Sequence, residues 1–232
     1  MPLNTLSLNR PVTSYSKVQS IISELIRNRR FQLRHESVVN SKYLDIGCGD
    51  AHHSNFINID YFWKPGINVC WDIMKGLPVA DASLKGVFTQ HCLEHFSLPS
   101  VKFICQEMYR VLSPGGTVRV VVPDGGMYLR TYWERIHGST DRKFPYEDRD
   151  EFEGIRTPLL SVNRIFYVDR DSAFGHRTMY DFMLLKAMLE RAGFVDVEQC
   201  AFGKGRDAQL LVDCPKREVE SLYVEASRPG LK

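Results

Sequence analysis

Asp45, Asp60 and Asp72 each lie within or at the end of a short apolar run, and Gly47 and Gly49 stand one residue apart between the first two. Two glycines after an apolar strand let the chain turn sharply and leave its backbone open to a ligand. A carboxylate that closes a strand accepts hydrogen bonds from both hydroxyls of a ribose, which is the role read for Asp60. Asp72, closing the next run, is placed to accept from an adenine amino group. His52 stands where the G-x-G-x-x-G phosphate fingerprint needs its third glycine. Asp45, Gly47, Gly49, Asp60 and Asp72, with the neighbours Tyr61 and Ile73, therefore describe a site for an adenosine that carries no phosphate.

Five histidines fall in loops where they could do chemistry: His52 and His53, His91 and His95, and His176. An imidazole near its ordinary pKa takes a hydroxyl proton at neutral pH, so His91 is the first candidate general base and His176 the second. The competing roles stay open, with His91 offering only backbone contacts and His176 ordering the loop before its helix. His91, Glu94 and His95 stand at i, i+3 and i+4, the spacing of one helical face. Their imidazoles would favour zinc, iron or manganese over magnesium. Spacing fixes no further ligand, so no metal is assigned and these three are the metal candidates.

The elements that must position these groups follow from periodicity. Apolar runs near 42–46, 56–60, 68–71, 86–90 and 117–123 alternate with helical stripes, which predicts a parallel sheet with helices on both faces. Val101, Ile104, Met108, Val111 and Leu112 form one stripe, and Ser113-Pro114-Gly115-Gly116 ends it. Leu185, Met188, Leu189 and Ala192 form another, started by Asp181. Strands at 195–201 and 208–214, linked by Gly203 to Arg206, are expected to pair antiparallel. Ahead of the sheet, Val18, Ile21, Ile22, Leu25 and Ile26 predict an amphipathic helix capped by Ser14 or Ser16, lying across the mouth or edge of the sheet. The domain reading is an N-terminal helical segment (1–40), a catalytic domain (41–215) and a tail (216–232).

Asp124 to Arg177 is too long for an ordinary connection and is rich in aromatics interleaved with Arg130, Arg142, Arg149 and Arg156. Because it leaves the carboxyl end of a central strand, 125–177 reads as an acceptor-binding cap or as a helical insertion whose aromatics pack it down. Asp124 either binds an acceptor hydroxyl or turns the chain with Gly125 and Gly126. A net charge of +2 supplies no broad field for polyanions, so no nucleic-acid partner is expected. No apolar run reaches membrane-spanning length and no hydrophobic signal core opens the chain, which predicts a cytoplasmic protein with no membrane span. The six cysteines lack CxxC spacing and read as reduced core residues. A small-molecule acceptor is the expected partner, with a homodimer through the N-terminal helix left open.

The chain resembles class I, Rossmann-like S-adenosylmethionine-dependent methyltransferases over roughly 40–215. Asp45-Ile46-Gly47-Cys48-Gly49 matches their first motif. Leu77-Pro78 with Asp81-Ala82-Ser83, and Glu107 with Arg110-Val111-Leu112-Ser113-Pro114-Gly115-Gly116, match the segments around the fourth and fifth strands. The resemblance implies a doubly wound seven-stranded sheet with its last strand antiparallel. It implies S-adenosyl-L-methionine contacts at Gly47, Gly49, Asp60, Asp72 and the loop at His91. One departure narrows it: only Ala51 to Ile59 separates Asp50 from Asp60, so the usual first helix is missing or reduced to a turn. With His91-Cys92-Leu93-Glu94-His95, Val122-Pro123-Asp124 and His176 to Asp181, the pattern is similar to a compact bacterial subgroup associated with sugar and surface-polysaccharide synthesis. The implied reaction is O-methylation of a sugar, nucleotide sugar or glycan. Methylation of nitrogen or carboxylate on another metabolite, and cofactor binding without turnover, are the alternatives.

Overall fold

The computed structural model describes residues 16–34, 36–149, 153–167 and 175–231; Ser14, Phe152 and Phe174 lie outside them. Strands β1 (Tyr43–Ile46), β2 (Phe56–Asp60), β3 (Val69–Cys70), β4 (Leu84–Gln90), β5 (Leu112–Pro123), β6 (Val195–Cys200) and β7 (Ser221–Ser227) form one sheet. Their order is β3-β2-β1-β4-β5-β7-β6. β1 to β5 pair in parallel, and β7 runs antiparallel between β5 and β6. This is the Rossmann-like sheet, with its last strand reversed, that the sequence predicts.

The parallel strands send alternate side chains to opposite faces. Leu44, Ile46, Ile57, Ile59, Val87, Val118, Val120, Val122, Leu222, Val224 and Ala226 meet helices α3 (Leu98–Val111) and α6 (Phe182–Arg191) in the main core. The motif residues around the fourth strand find one another here. Arg110 donates to Glu107, to Asp81 and to the carbonyls of Leu77 and Val79, while Glu107 accepts from Leu77 N–H at 2.7 Å. That part of the signature is a brace for the loop before β4, not chemistry.

The opposite face carries Phe56, Phe88, Val121 and Tyr223, together with Arg119 and Glu225, both fully buried. A first helix would ordinarily cover this face, but 47–55 is too short for a helical crossover between parallel strands. The Asn58 amide closes that loop instead, accepting from His53 N–H and donating to His53 O, each at 2.9 Å. The chain between β6 and β7 covers the face, laying Leu210 and Val212 on the aromatic cluster. Arg119 secures it. Its guanidinium donates to both oxygens of Asp213 (2.8 and 2.5 Å), to Glu225 Oε1 (2.9 Å) and to the carbonyls of Lys204 and Ala201.

Two expectations are corrected. Residues 208–214 form no strand; a 3-10 turn (Ala208–Leu210) and an extended stretch hold them on the sheet face, because Asp213 must leave the strand plane to reach Arg119. β6 does pair antiparallel, but with β7. The expected tail, 216–232, therefore contains the strand that fills the gap between β5 and β6, so the domain extends through it.

Helix α1 (Lys17–Ile26) starts at Ser16, whose hydroxyl accepts from Gln19 N–H while the Gln19 side chain accepts from Ser16 N–H. The segment docks on the β3 edge through polar groups. Cys70 N–H donates to Gln32 Oε1 (2.7 Å), Asn28 N–H donates to Cys70 O (3.1 Å), and buried Ser23 accepts from Trp63 N–H. It thereby covers an open sheet edge. The apolar stripe does not face the sheet as amphipathicity suggests: Val18, Ile21 and Leu25 are exposed. The short helix α2 (Glu36–Asn40) leads into β1.

The insertion holds helices α4 (Gly125–Ile136) and α5 (Pro158–Tyr167), which share a small core of Tyr128, Phe144, Val162 and Ile165. Part of its aromatic content therefore packs the insertion down. Its stem closes where Gly125 N–H donates to Tyr180 O at 2.8 Å. Among the described residues no helix is long and apolar enough to cross a membrane.

Candidate active site

The loops that carry the candidate ligand-binding residues leave the carboxyl ends of β1 to β5. After β1 the chain passes through Gly47 and Gly49, with φ of 71° and 57°, a region that side chains other than glycine's adopt at a cost. Gly47 N–H and Cys48 N–H both donate to Ile59 O, and Gly49 N–H donates to Asp60 Oδ2 at 2.9 Å. Asp60 Oδ1 accepts from Phe62 N–H at 3.0 Å. The acid thus ties the glycine turn to the end of β2. Burial raises its pKa, opposed by the N–H groups of Phe62 and Gly49 and by the Lys64 charge. Gly47 backs onto Cys92, and a Cβ added there would meet Cys92 Sγ at 2.5 Å. Gly47→Ala should therefore cost about 2–4 kcal/mol, combining left-handed strain with overpacking. Denaturant unfolding of the variant checks this.

Asp45 is 2% exposed and lies beneath the turn, 3.8 Å from His53 Nε2. It supports the site from below and offers no surface to a ligand. Tyr61 sits under the Arg27 guanidinium, 3.7 Å from ring centroid to Cζ, and Arg27 Nε donates to Tyr61 O. Asp72 caps the 3-10 turn Ile73–Lys75 by accepting from Met74 N–H at Oδ1, and its own N–H donates to Asn28 Oδ1. Its Oδ2 lies outside those bonds. Ile73 is buried.

The histidines divide. His53 packs on Phe56 and Phe88, and His52 lies against Gly66, so neither joins the groups after β4. His91, His95 and His176 instead converge on Glu94. Their nearest ring nitrogens lie 3.5, 3.9 and 4.0 Å from Glu94 Oε1. His176 reaches it because the returning insertion lies on the β4 loop: Arg177 N–H and Thr178 N–H donate to Glu94 O, and Thr178 Oγ1 donates to Phe96 O. His91 adopts φ 50°, held by its N–H donating to Val121 O and by its ring against Ser221 Oγ at 2.8 Å. Burial, aided by the Arg217 charge, pushes the His91 pKa down to about 3, which makes it a poor general base. Burial pushes Glu94 up to about 8. Asp124 caps α4 by accepting from Met127 N–H.

The sheet order with one reversed strand is that of class I methyltransferases, and residues 63–120 match the family model for a methyltransferase domain. The segment from Trp63 to Val120, which runs through β3, β4 and most of β5, carries that likeness. No curated protein matches this chain. Similar solved structures include the S-adenosylmethionine-dependent methyltransferase SibL in its apo form, at 20% identity and TM-score 0.46, covering 90% of this chain and 55% of that one. Another, from Methanosarcina mazei, has 15% identity and TM-score 0.49, covering 82% and 92%. A Thermotoga maritima structure described as a possible histamine N-methyltransferase has 14% identity and TM-score 0.46, covering 82% and 83%. The chain thus spans little more than half the length of SibL.

The residues present fit the cofactor. A carboxylate has about four lone-pair sites, and Asp60 gives two to backbone N–H groups, leaving two for vicinal hydroxyls. A Cβ at Gly49 would meet nothing within 4 Å, so a ligand can approach the backbone there. The sequence did not reveal Asn28 and Arg27 against Asp72 and Tyr61, nor Glu94 as the centre of the histidine group. Only the fold brings those residues together.

Proposed function

We propose that the chain is an S-adenosylmethionine-dependent methyltransferase that methylates a hydroxyl oxygen of a small sugar-type acceptor, with Gly47, Gly49, Asp60 and Asp72 holding the adenosine of its cofactor. The observation that carries the choice of oxygen is the Glu94 cluster at the carboxyl edge of the sheet. An amine or carboxylate acceptor needs positioning alone, whereas a hydroxyl of high pKa needs help to lose its proton. S-adenosylmethionine supplies an electrophilic methyl group when bound. In the transfer an acceptor C–O bond forms and the S–C bond breaks with its electron pair left on sulfur. The hydroxyl proton leaves through the histidine group. His176 is better suited than His91, since its Nδ1 donates to Ile165 O at 2.7 Å and directs a basic Nε2 toward Glu94. Arg130, whose Nη1 lies close to Gly126 at the first turn of α4, and exposed Trp133 are groups of the 125–177 cap that suit a charged, ring-shaped acceptor.

The test is adenosylhomocysteine release by the purified chain against nucleotide sugars, glycans and small amines. Turnover on a hydroxyl acceptor that falls at least ~100-fold in Glu94→Gln supports the reading, a loss at the low end of what acid–base assistance contributes. Turnover confined to amines or carboxylates, and unchanged in that variant, selects the nitrogen or carboxylate alternative. Cofactor binding with no turnover on any acceptor selects a non-catalytic role.

A further inference from the structure

Glu94 is 1% exposed, and neither of its carboxylate oxygens has a hydrogen-bond partner among the described residues. A buried carboxylate in that condition is costly unless a cation or proton compensates it. The Arg217 charge favours the carboxylate from a distance, but the guanidinium makes no hydrogen bond to it and gives Nη1 to Glu220 Oε1 at 2.6 Å. What faces Glu94 is a set of imidazole nitrogens, and in two of the rings another partner fixes where the hydrogen sits. His176 Nδ1 lies 2.7 Å from Ile165 O, a pure acceptor, so Nδ1 carries the hydrogen and in the neutral ring Nε2 turns a lone pair toward Glu94. Ser221 Oγ donates to Arg217 O at 2.6 Å, so His91 Nε2 donates to Ser221 and its Nδ1 also turns a lone pair toward Glu94. Acceptors facing an acceptor at 3.5 and 4.0 Å repel unless something positive stands among them. A single proton on Glu94 relieves one such contact. A metal ion relieves them together.

We propose that Glu94, His95 and His176 bind a divalent transition-metal ion, with His91 as the adjoining imidazole. One ligand atom from each of the three lies within 4.8 Å of the others. Bond lengths of about 2.0–2.2 Å around a tetrahedral ion give ligand separations of roughly 3.3–3.6 Å, so a small contraction completes the site. Two imidazoles and a carboxylate suit zinc, iron, cobalt or manganese and disfavour magnesium and calcium. Carbonyl Ile165 O orients His176 as an outer partner orients a metal-bound imidazole. Three protein ligands leave a position open, the arrangement of catalytic ions, and the half-buried His95 marks the side facing outward. The ion's binding stands on this geometry alone. Its role, holding the acceptor oxygen so that the hydroxyl ionises more readily, rests on the O-methylation reading; with the ion bound His176 is a ligand instead of the proton acceptor, and the proton passes to water at the open side.

The experiment titrates metal-stripped, full-length protein with Co(II), following visible ligand-field absorption, and measures adenosylhomocysteine binding on the same samples by calorimetry. One equivalent of cobalt should bind with tetrahedral or five-coordinate bands. Glu94→Gln and His176→Gln should each weaken it by more than the roughly 10–100-fold that losing an outer-shell partner costs. His137→Gln, whose ring lies on Trp133 at the end of α4, should leave it unchanged. If Glu94→Gln loses its native circular-dichroism spectrum, the partly exposed His95→Gln takes its place. No uptake by folded wild type, or uptake that survives the cluster substitutions, overturns the proposal. Because adenosylhomocysteine binding is read separately, loss of the metal site and failure of the methyltransferase reading give different results.

Discussion

Asp60→Ala should abolish measurable adenosylhomocysteine binding and, with it, methyl transfer. The carboxylate accepts from Gly49 N–H and Phe62 N–H and has lone pairs left for two ribose hydroxyls. Hydrogen bonds to a charged group contribute about 1.5–3 kcal/mol each, so losing two to the ligand weakens binding by at least ~100-fold. The same change releases the glycine turn from β2, which adds to the effect. Isothermal titration with adenosylhomocysteine, at unchanged near-ultraviolet circular dichroism, measures it. Asp60→Asn should fall between, since the amide accepts at one oxygen only. Binding within a few-fold of wild type in Asp60→Ala would move the adenosine elsewhere on the sheet edge.

Arg119→Met should be among the most destabilising single changes available that leave the candidate site untouched. The guanidinium is fully buried and compensates two fully or nearly buried carboxylates, Asp213 and Glu225. Removing one partner of a buried ionic group typically costs 3–5 kcal/mol, because the remaining charges stay buried without compensation. Here the loss also frees the β6–β7 connection from the face it covers, exposing Phe56, Phe88 and Tyr223. Urea unfolding should show a lowered midpoint. Arg119→Met combined with Asp213→Leu and Glu225→Leu should recover most of the loss if the cost is electrostatic. A single variant within about 1 kcal/mol of wild type would mean that the ion cluster is incidental to that packing.

Local patterns carried much of the architecture. The alternation of apolar runs with helical stripes was enough for the parallel sheet, because each strand's burial is written in its own few residues. Gly47, Gly49 and Asp60 were legible for the same reason: a left-handed turn needs glycine, and a strand-end acid stands out against an apolar run. The absence of a first helix could be read by counting residues between Asp50 and Asp60.

The errors fell where the deciding partner is distant in sequence. Residues 208–214 look like a strand, yet Asp213 belongs to Arg119, and nothing local to either residue announces that pair. β7 lies in the segment expected as a tail, although Leu222, Val224 and Ala226 alternate on one face; on the other face the same arginine is the reason a glutamate is tolerated at Glu225. The stripe on α1 predicts burial, but the helix docks through Ser23 and its following loop, whose partners on β3 and the loop after β2 exist only once the sheet has formed. At the site, spacing alone placed His91, Glu94 and His95 together. The sequence by itself determined which residues could do chemistry and which strand ends would present them. Only the tertiary structure decided that His176 joins Glu94 and that His91 turns inward, because long-range packing, not local spacing, sets which lone pairs face one another.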